Sequence, residues 1–231
     1  MSNSLDLQTV DVDGAVRELA DQAGFGRADF LRRGALAGGG VLAGGVLAGE
    51  FLGTAEARIS SRRSVANDVK ILNFALTLEF LEAAFYKQAV ANDAFSNDLY
   101  RRFGQVVAEH EATHVAFLKK TLGSKAIKEP KFDFKDTVTD PAKFAATAQV
   151  LEDTGVGAYL GQATRIKQAP VLKAAATIVT VEARHASWIR VLNGGGSSTA
   201  PEGLPAPASF DKPKSERQVL SAVGKTGFIV G

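Results

Sequence analysis

The chain has 231 residues, a formal net charge of +2 and no cysteine. The lack of cysteine excludes disulfides, thiolate chemistry and any cysteine-ligated zinc or iron–sulfur site. The charges are scattered, with no run of Lys and Arg interleaved with aromatic residues, so we expect no nucleic-acid partner. This length suffices for one well-buried domain with appendages.

Residues 1–57 resemble an export signal of the twin-arginine type. Arg32 and Arg33 precede a Gly/Ala/Val/Leu run from Gly34 to Gly49, and the small-x-small sequence Ala55-Glu56-Ala57 follows. Such a signal sends folded proteins out of the cytoplasm, so we expect a periplasmic, cell-envelope or extracellular protein with no stable membrane span in its mature form. The alternatives are an uncleaved anchor, since the apolar stretch approaches the ~20 residues of a span, or a Gly-rich N-terminal arm.

The sequence of residues 58–193 predicts a bundle of four long helices. Residues 194–231 are expected to form a linker and a C-terminal docking segment. Capping and stop signals set the helix bounds. The third predicted helix carries Gly155, Gly157 and Gly161. Each glycine destabilises a helix by about 1 kcal/mol relative to alanine, so we expect close helix packing to compensate for them. The connection 124–139 contains no convincing helix. The four predicted helices run from Ser64 or Asn67 to Ala91, from Ser96 or Asn97 to Gly123, from Asp140-Pro141 to Ile166, and from Pro170 to Asn193.

The chain has three histidines, and each lies in or directly beside one of two Glu-x-x-His motifs. Residues three apart share a helix face, so Glu111 with His114, and Glu182 with His185, place a carboxylate beside an imidazole. A single such pair also occurs on solvated helix faces, but both stretches here are apolar, and burying these groups without a partner costs several kcal/mol. Two further acids, Glu79 and Glu152, stand in apolar helical stretches of their own.

Four helices that carry Glu, Glu-x-x-His, Glu and Glu-x-x-His in this order resemble the ferritin-like di-iron/di-manganese carboxylate proteins. The separations Glu79 to Glu111 (32 residues) and Glu152 to Glu182 (30 residues) suit two similar helical hairpins. The resemblance implies an all-α fold, a ferritin-like four-helix bundle with one long crossover and a short C-terminal helix. It also implies two Fe or Mn ions held by Glu79, Glu111, His114, Glu152, Glu182 and His185.

A narrower resemblance covers Ser64 to the C-terminus. The stretches Asn73-Phe74-Ala75-Leu76-Thr77-Leu78-Glu79-Phe80-Leu81-Glu82 and Glu152-Asp153-Thr154-Gly155-Val156-Gly157-Ala158-Tyr159 are similar to those of extracytoplasmic ferritin-like proteins that include desiccation-related proteins. This resemblance implies a role in the cell envelope or outside the cell. It leaves assembly into a homo-oligomer open.

Three residues near the expected ligands have two interpretations each. Glu82 is either a bridging or shuttle carboxylate or a polar neighbour of Lys87 on the outside, and the 3/4 spacing favours the former. Tyr86 fits an amphipathic core position better than an electron donor to two metals. His110 fits a position just outside the ligands, or on the surface, better than that of a further ligand.

Hard oxygen donors with two imidazoles suit Fe or Mn and leave positions open for O₂ or peroxide. The first functional hypothesis is therefore an oxidoreductase with ferroxidase, peroxidase or catalase-like chemistry. The second is a structural or stress-protective extracytoplasmic protein whose metals mainly hold the bundle together.

Overall fold

The computed structural model describes residues 58–195 and 203–230, so the predicted export signal in residues 1–57 lies outside the described part. Within that part the backbone is helical and forms no strand, with one isolated antiparallel bridge between Phe132 and Ile229. The predicted all-α fold is confirmed, whereas the predicted division at residues 57 and 193 stays a prediction. The helices are α1 (Val65–Ala91), α2 (Asp98–Leu122), α3 (Pro141–Ala163), α4 (Ala169–Asn193) and α5 (Glu216–Thr226).

Short polar side chains start four of these helices. Ser64 accepts a hydrogen bond from the Asn67 amide at the start of α1, and Asn97 caps α2 in the same way. Asp140 caps α3, where a proline occupies the first turn. A capping box of Ser215 and Gln218 starts α5. These caps satisfy amide groups that the first helical turn leaves without partners.

The start of α4 is capped from another helix. Buried Asp68 of α1 accepts hydrogen bonds from the backbone amides of Lys167 (2.8 Å) and Gln168 (3.0 Å). With this long-range cap, α4 begins at Ala169 rather than at Pro170. The third helix ends at Ala163, three residues before its predicted end, so that the chain can turn towards Asp68.

The helices form two hairpins, α1 with α2 and α3 with α4. Tyr86, near the end of α1, packs against Phe103 near the start of α2 and Phe144 near the start of α3. Both α2 and α3 therefore start at the same end of the bundle, and the connection between them crosses its full length. This crossover contains two short 3₁₀ turns, Gly123–Lys125 and Lys135–Val138, where the sequence predicted no helix.

Two apolar ends enclose a polar middle layer. At one end the ring of Phe85 lies 5.5 Å, centre to centre, from the ring of Phe134 and from that of Phe144. At the other end Ile71 and Ile178 are buried. Among the described helices, none combines the length and hydropathy that a membrane span requires.

The glycines of α3 face two different neighbours, the side chains of α1 and α4 and the segment that leads into α5. Gly155 faces carboxylate groups, since a Cβ there would lie 3.3 Å from Glu82 Oε1. Gly157 and Gly161 instead make room for the segment that leads into α5: the Lys214 amide donates to the Gly157 carbonyl at 2.8 Å. A Cβ on Gly161 would lie 1.8 Å from the Lys214 carbonyl oxygen.

We expect Gly161→Ala to destabilise the protein by about 1–3 kcal/mol, the usual cost of overpacking, because the backbone of Lys214 must move away. Gly157→Ala is the matched control. Its Cβ meets only the flexible Lys214 side chain, at 2.8 Å, and the better helix propensity of Ala offsets the contact by roughly 1 kcal/mol. Urea unfolding of both variants measures the difference; equal midpoints would contradict the docking of this segment on α3.

Candidate metal centre

The four long helices bring six buried carboxylate and imidazole side chains into the middle layer. Helices α1 and α3 each contribute one glutamate, and helices α2 and α4 each contribute a glutamate and, one turn later, a histidine. All six are buried, at 9 % exposure or less: Glu79, Glu111, His114, Glu152, Glu182 and His185.

These side chains form two overlapping groups of four, and within each group the candidate ligand atoms all lie within 4.8 Å of one another. The first group is Glu79, Glu111, His114 and Glu182, and the second is Glu111, Glu152, Glu182 and His185. Glu111 and Glu182 belong to both groups. The carboxylates of the two Glu-x-x-His motifs are therefore the ones that lie between the two positions.

Both imidazoles present their Nδ1 atoms to the carboxylates. The Nδ1 atom of His114 lies 3.0 Å from Glu182 Oε1 and 3.1 Å from Glu79 Oε2. The Nδ1 atom of His185 lies 3.2 Å from Glu111 Oε1 and 3.3 Å from Glu152 Oε2. Each imidazole thus sits at the centre of one group.

Several of these atoms are close together yet lack good hydrogen bonds. Glu111 Oε1, Glu152 Oε2, both oxygens of Glu182 and His185 Nδ1 are buried without a hydrogen-bond partner among the described residues. Leaving such groups unpaired is costly, and four carboxylates at one place also repel each other. Two divalent cations would bind the unpaired atoms and offset the negative charge of the carboxylates. The donor set of oxygens and imidazole nitrogens therefore fits Fe or Mn.

Two tyrosines hydrogen-bond the glutamates from opposite hairpins. The Tyr86 hydroxyl of α1 donates to Glu152 Oε1, and the Tyr159 hydroxyl of α3 donates to Glu79 Oε1, both at 2.5 Å. Each tyrosine thus orients the carboxylate that the other hairpin supplies. Tyr159 was not singled out from the sequence, although both tyrosines follow a glutamate of their own helix by seven residues, which is a same-face spacing.

The sequence of residues 67–195 matches the profile of the ferritin-like domain family, and these 129 residues are more than half of the chain. The chain belongs to the ferritin-like domain family. A search of the curated proteins finds no match.

This ferritin-like bundle buries a fifth carboxylate, Glu82, beside the six side chains. The structure places Glu82 inside, 3 % exposed, rather than beside Lys87 on the surface. Burial and then the charge of Glu182 raise the pKa of Glu82 well above its ordinary value. Gly155 leaves room for both carboxylates, because a Cβ there would lie 3.3 Å from Glu82 and 3.6 Å from Glu182.

His110 lies outside the six. Its ring is exposed on one side and stacks on that of His185 with 5.1 Å between centres. The Nδ1 atom of His110 is 2.8 Å from Nε2 of His185, the nitrogen that points away from the carboxylates. Because an imidazole ligand is oriented by the partner of its other nitrogen, His110 can fix the ring of His185.

The metal-free cluster holds protons where cations would bind. Burial alone would lower the pKa of His185, but the carboxylate oxygens around its Nδ1 raise it to about 12. Burial raises the pKa of Glu152 to about 7, although contact with His185 opposes the shift. Burial would also raise the pKa of Glu182, yet His114 and His185 lower it to about 2. At neutral pH the metal-free site therefore contains imidazolium paired with carboxylate.

We expect metal binding to release protons, and metal affinity to fall as pH falls. Burial alone would lower the pKa of His114, but the charge of Glu79 and the contacts with Glu111 and Glu182 raise it well above its ordinary value. Because the pKa of His185 is raised as well, both imidazoles must lose a proton before Nδ1 can bind a cation. Titration calorimetry at pH 7 in buffers of different ionisation enthalpy measures the released protons. Identical heats in all buffers would show that the imidazoles are already neutral.

Proposed function

We propose that this ferritin-like protein binds two Fe or Mn ions and carries out redox chemistry on Fe(II), O₂ or peroxide. One observation carries the proposal: two four-residue groups of ligand atoms share Glu111 and Glu182. Shared carboxylates suit a pair of ions held side by side, and a mixed oxygen and imidazole set leaves coordination positions for a small oxidant. Two such ions would supply the change of oxidation state.

The side chains around the metal ligands have separate roles in this proposal. Tyr86 and Tyr159 hold Glu152 and Glu79 in place through their hydroxyl groups. Glu82 lies beside the ligands with a raised pKa, so its carboxyl group can hold a proton that a reaction consumes or produces. The aromatic end of the bundle around Phe85 keeps bulk water away from that side of the cluster.

Turnover measurements test the proposal. Protein loaded with two equivalents of Fe(II) is mixed with O₂ or peroxide, and iron oxidation is followed against the same concentration of free Fe(II). Protein loaded with Mn(II) is tested in parallel for consumption of peroxide. We expect faster oxidation or peroxide consumption than with free metal. A protein that binds both ions and accelerates neither reaction would instead fit the structural, stress-protective alternative.

We further propose that the protein works outside the cytoplasm, as an extracytoplasmic ferritin-like protein similar to desiccation-related ones. The twin arginines of the N-terminal segment support this location. We expect Arg32→Lys combined with Arg33→Lys to leave the precursor in the cytoplasm, because the export pathway reads the arginine pair. Immunoblots of cell fractions from the natural host measure the effect. Unchanged export of the double variant would refute the signal.

A further inference from the structure

An apolar pocket lies inside the bundle one helical turn from the carboxylate cluster. Leu118 and Ile178 line it, and they stand four residues from His114 and Glu182, the nearest cluster residues on their helices. Residues four apart lie one above the other on a helix face, so the pocket and the cluster are successive layers. Half-buried Ala175 marks where the lining approaches the surface.

The pocket contains a polar side chain that the fold does not satisfy. Gln162 lines it at 2 % exposure, and neither its Nε2 nor its Oε1 atom has a hydrogen-bond partner among the described residues. An unpaired buried amide is costly, so its retention in an otherwise apolar wall indicates an occupant. That occupant must both donate and accept a hydrogen bond.

Tyr159 connects the pocket to the cluster. Its ring lines the pocket, and its hydroxyl donates to Glu79 Oε1 at 2.5 Å. Tyr159 therefore contacts both the pocket and the first group of ligand atoms. Rotation of Tyr159 would open the way between the two layers.

We propose that this pocket binds hydrogen peroxide on its way to the carboxylate cluster. The proposal rests on the proposed function. The volume of the pocket that the centre of a water molecule can occupy is about 20 Å³. A cavity with about 10–15 Å³ of such volume can hold one water. The apolar wall excludes hydrated metal ions and other charged species. Dioxygen cannot donate to Gln162 Oε1, whereas peroxide is neutral, has two heavy atoms, and both donates and accepts.

The composition of the chain agrees with contact with peroxide. Cysteine is absent, and the one methionine is Met1, so none of the described residues carries sulfur. Sulfur side chains are the ones that peroxide oxidises most readily. A bundle that admits peroxide to its interior without them avoids oxidation of its own core.

Binding is tested on the metal-free protein by NMR. The side-chain amide signals of Gln162 are followed while hydrogen peroxide is added, with those of Gln88, an exposed glutamine of α1, as the control in the same spectrum. We expect the Gln162 signals alone to shift and to saturate. Signals of Gln162 that stay in place, or that move in parallel with those of Gln88, would mean that water alone occupies the pocket and would overturn the proposal.

Kinetics with Gln162→Leu, which removes both hydrogen-bonding groups at similar volume, supply the second test. We expect the peroxide concentration for half-maximal rate of the Mn(II)-loaded protein to rise about tenfold, as loss of a hydrogen bond to a substrate predicts. Gln88→Leu should leave that concentration unchanged. Ala175→Leu, which narrows the pocket without touching Gln162, should raise it too.

The results separate the two proposals. If the parent protein does not react with peroxide, the proposed peroxide chemistry fails whatever the NMR titration shows. If the parent reacts and both Gln162→Leu and Ala175→Leu respond to peroxide as the parent does, the pocket proposal is wrong and the di-metal function stands.

Discussion

Glu182→Gln is expected to prevent binding of both metal ions, whereas His114→Ala and His185→Ala are each expected to remove one. Glu182 belongs to both groups of ligand atoms, while each histidine belongs to one. Glutamine keeps the size of the side chain but replaces a charged oxygen by an amide nitrogen that cannot bind a cation. The loss of affinity in Glu182→Gln should exceed the ~10–100-fold that changes outside the ligands typically cause.

Glu109→Gln is the matched control for this variant. Glu109 is an exposed glutamate of α2, two residues before Glu111, and it belongs to neither group. Calorimetric titration with Mn(II), followed by metal analysis of the dialysed protein, gives affinity and occupancy for each variant. Two bound ions in Glu182→Gln, or loss of metal in Glu109→Gln, would contradict the assignment.

The second large effect is the stabilisation of the fold by metal. Without cations, the buried carboxylates of the middle layer repel each other and several of their oxygens lack hydrogen bonds, so the bundle is strained at its centre. A ligand at 1,000 times its dissociation constant stabilises the folded state by about 4 kcal/mol. For a domain of about 150–250 residues, this raises the melting temperature by at least about 8 °C.

Calorimetric scans of chelator-treated and metal-loaded protein measure this shift. The Glu182→Gln variant supplies the comparison, because it lacks a carboxylate that both positions need and should therefore melt at the same temperature with and without metal. An unmodified protein whose two scans coincide would show that the cluster is stable without cations. The metals would then have no structural part in the bundle.

The helices and the two Glu-x-x-His pairs could be predicted because both depend on local spacing, whereas the gathering of six side chains was implied by the resemblance to the ferritin-like proteins. A glutamate and a histidine three residues apart must share a helix face, and apolar neighbours on both sides place that face inside. The N-cap at Asp140 was predicted for the same reason, since a cap acts within its own first turn.

Contacts between distant segments could not be predicted in this way. Asp68 caps α4 from a position 99 residues before Lys167, and no local pattern marks it as a cap. The space beside Gly161 is filled by the backbone of Lys214, which the sequence does not place there. Which two carboxylates are shared depends on how the two hairpins pack, so only the structure assigns that role to Glu111 and Glu182.

The most direct test of the account is an electron paramagnetic resonance titration of the metal-free protein with Mn(II). We expect the signal of free Mn(II) to stay absent until two equivalents per chain have been added. Because the two bound ions share Glu111 and Glu182, their spins should be coupled and give a signal different from that of isolated Mn(II). Uptake of fewer than two ions, or two bound ions with the signal of isolated Mn(II), would contradict a pair of metals held by shared carboxylates.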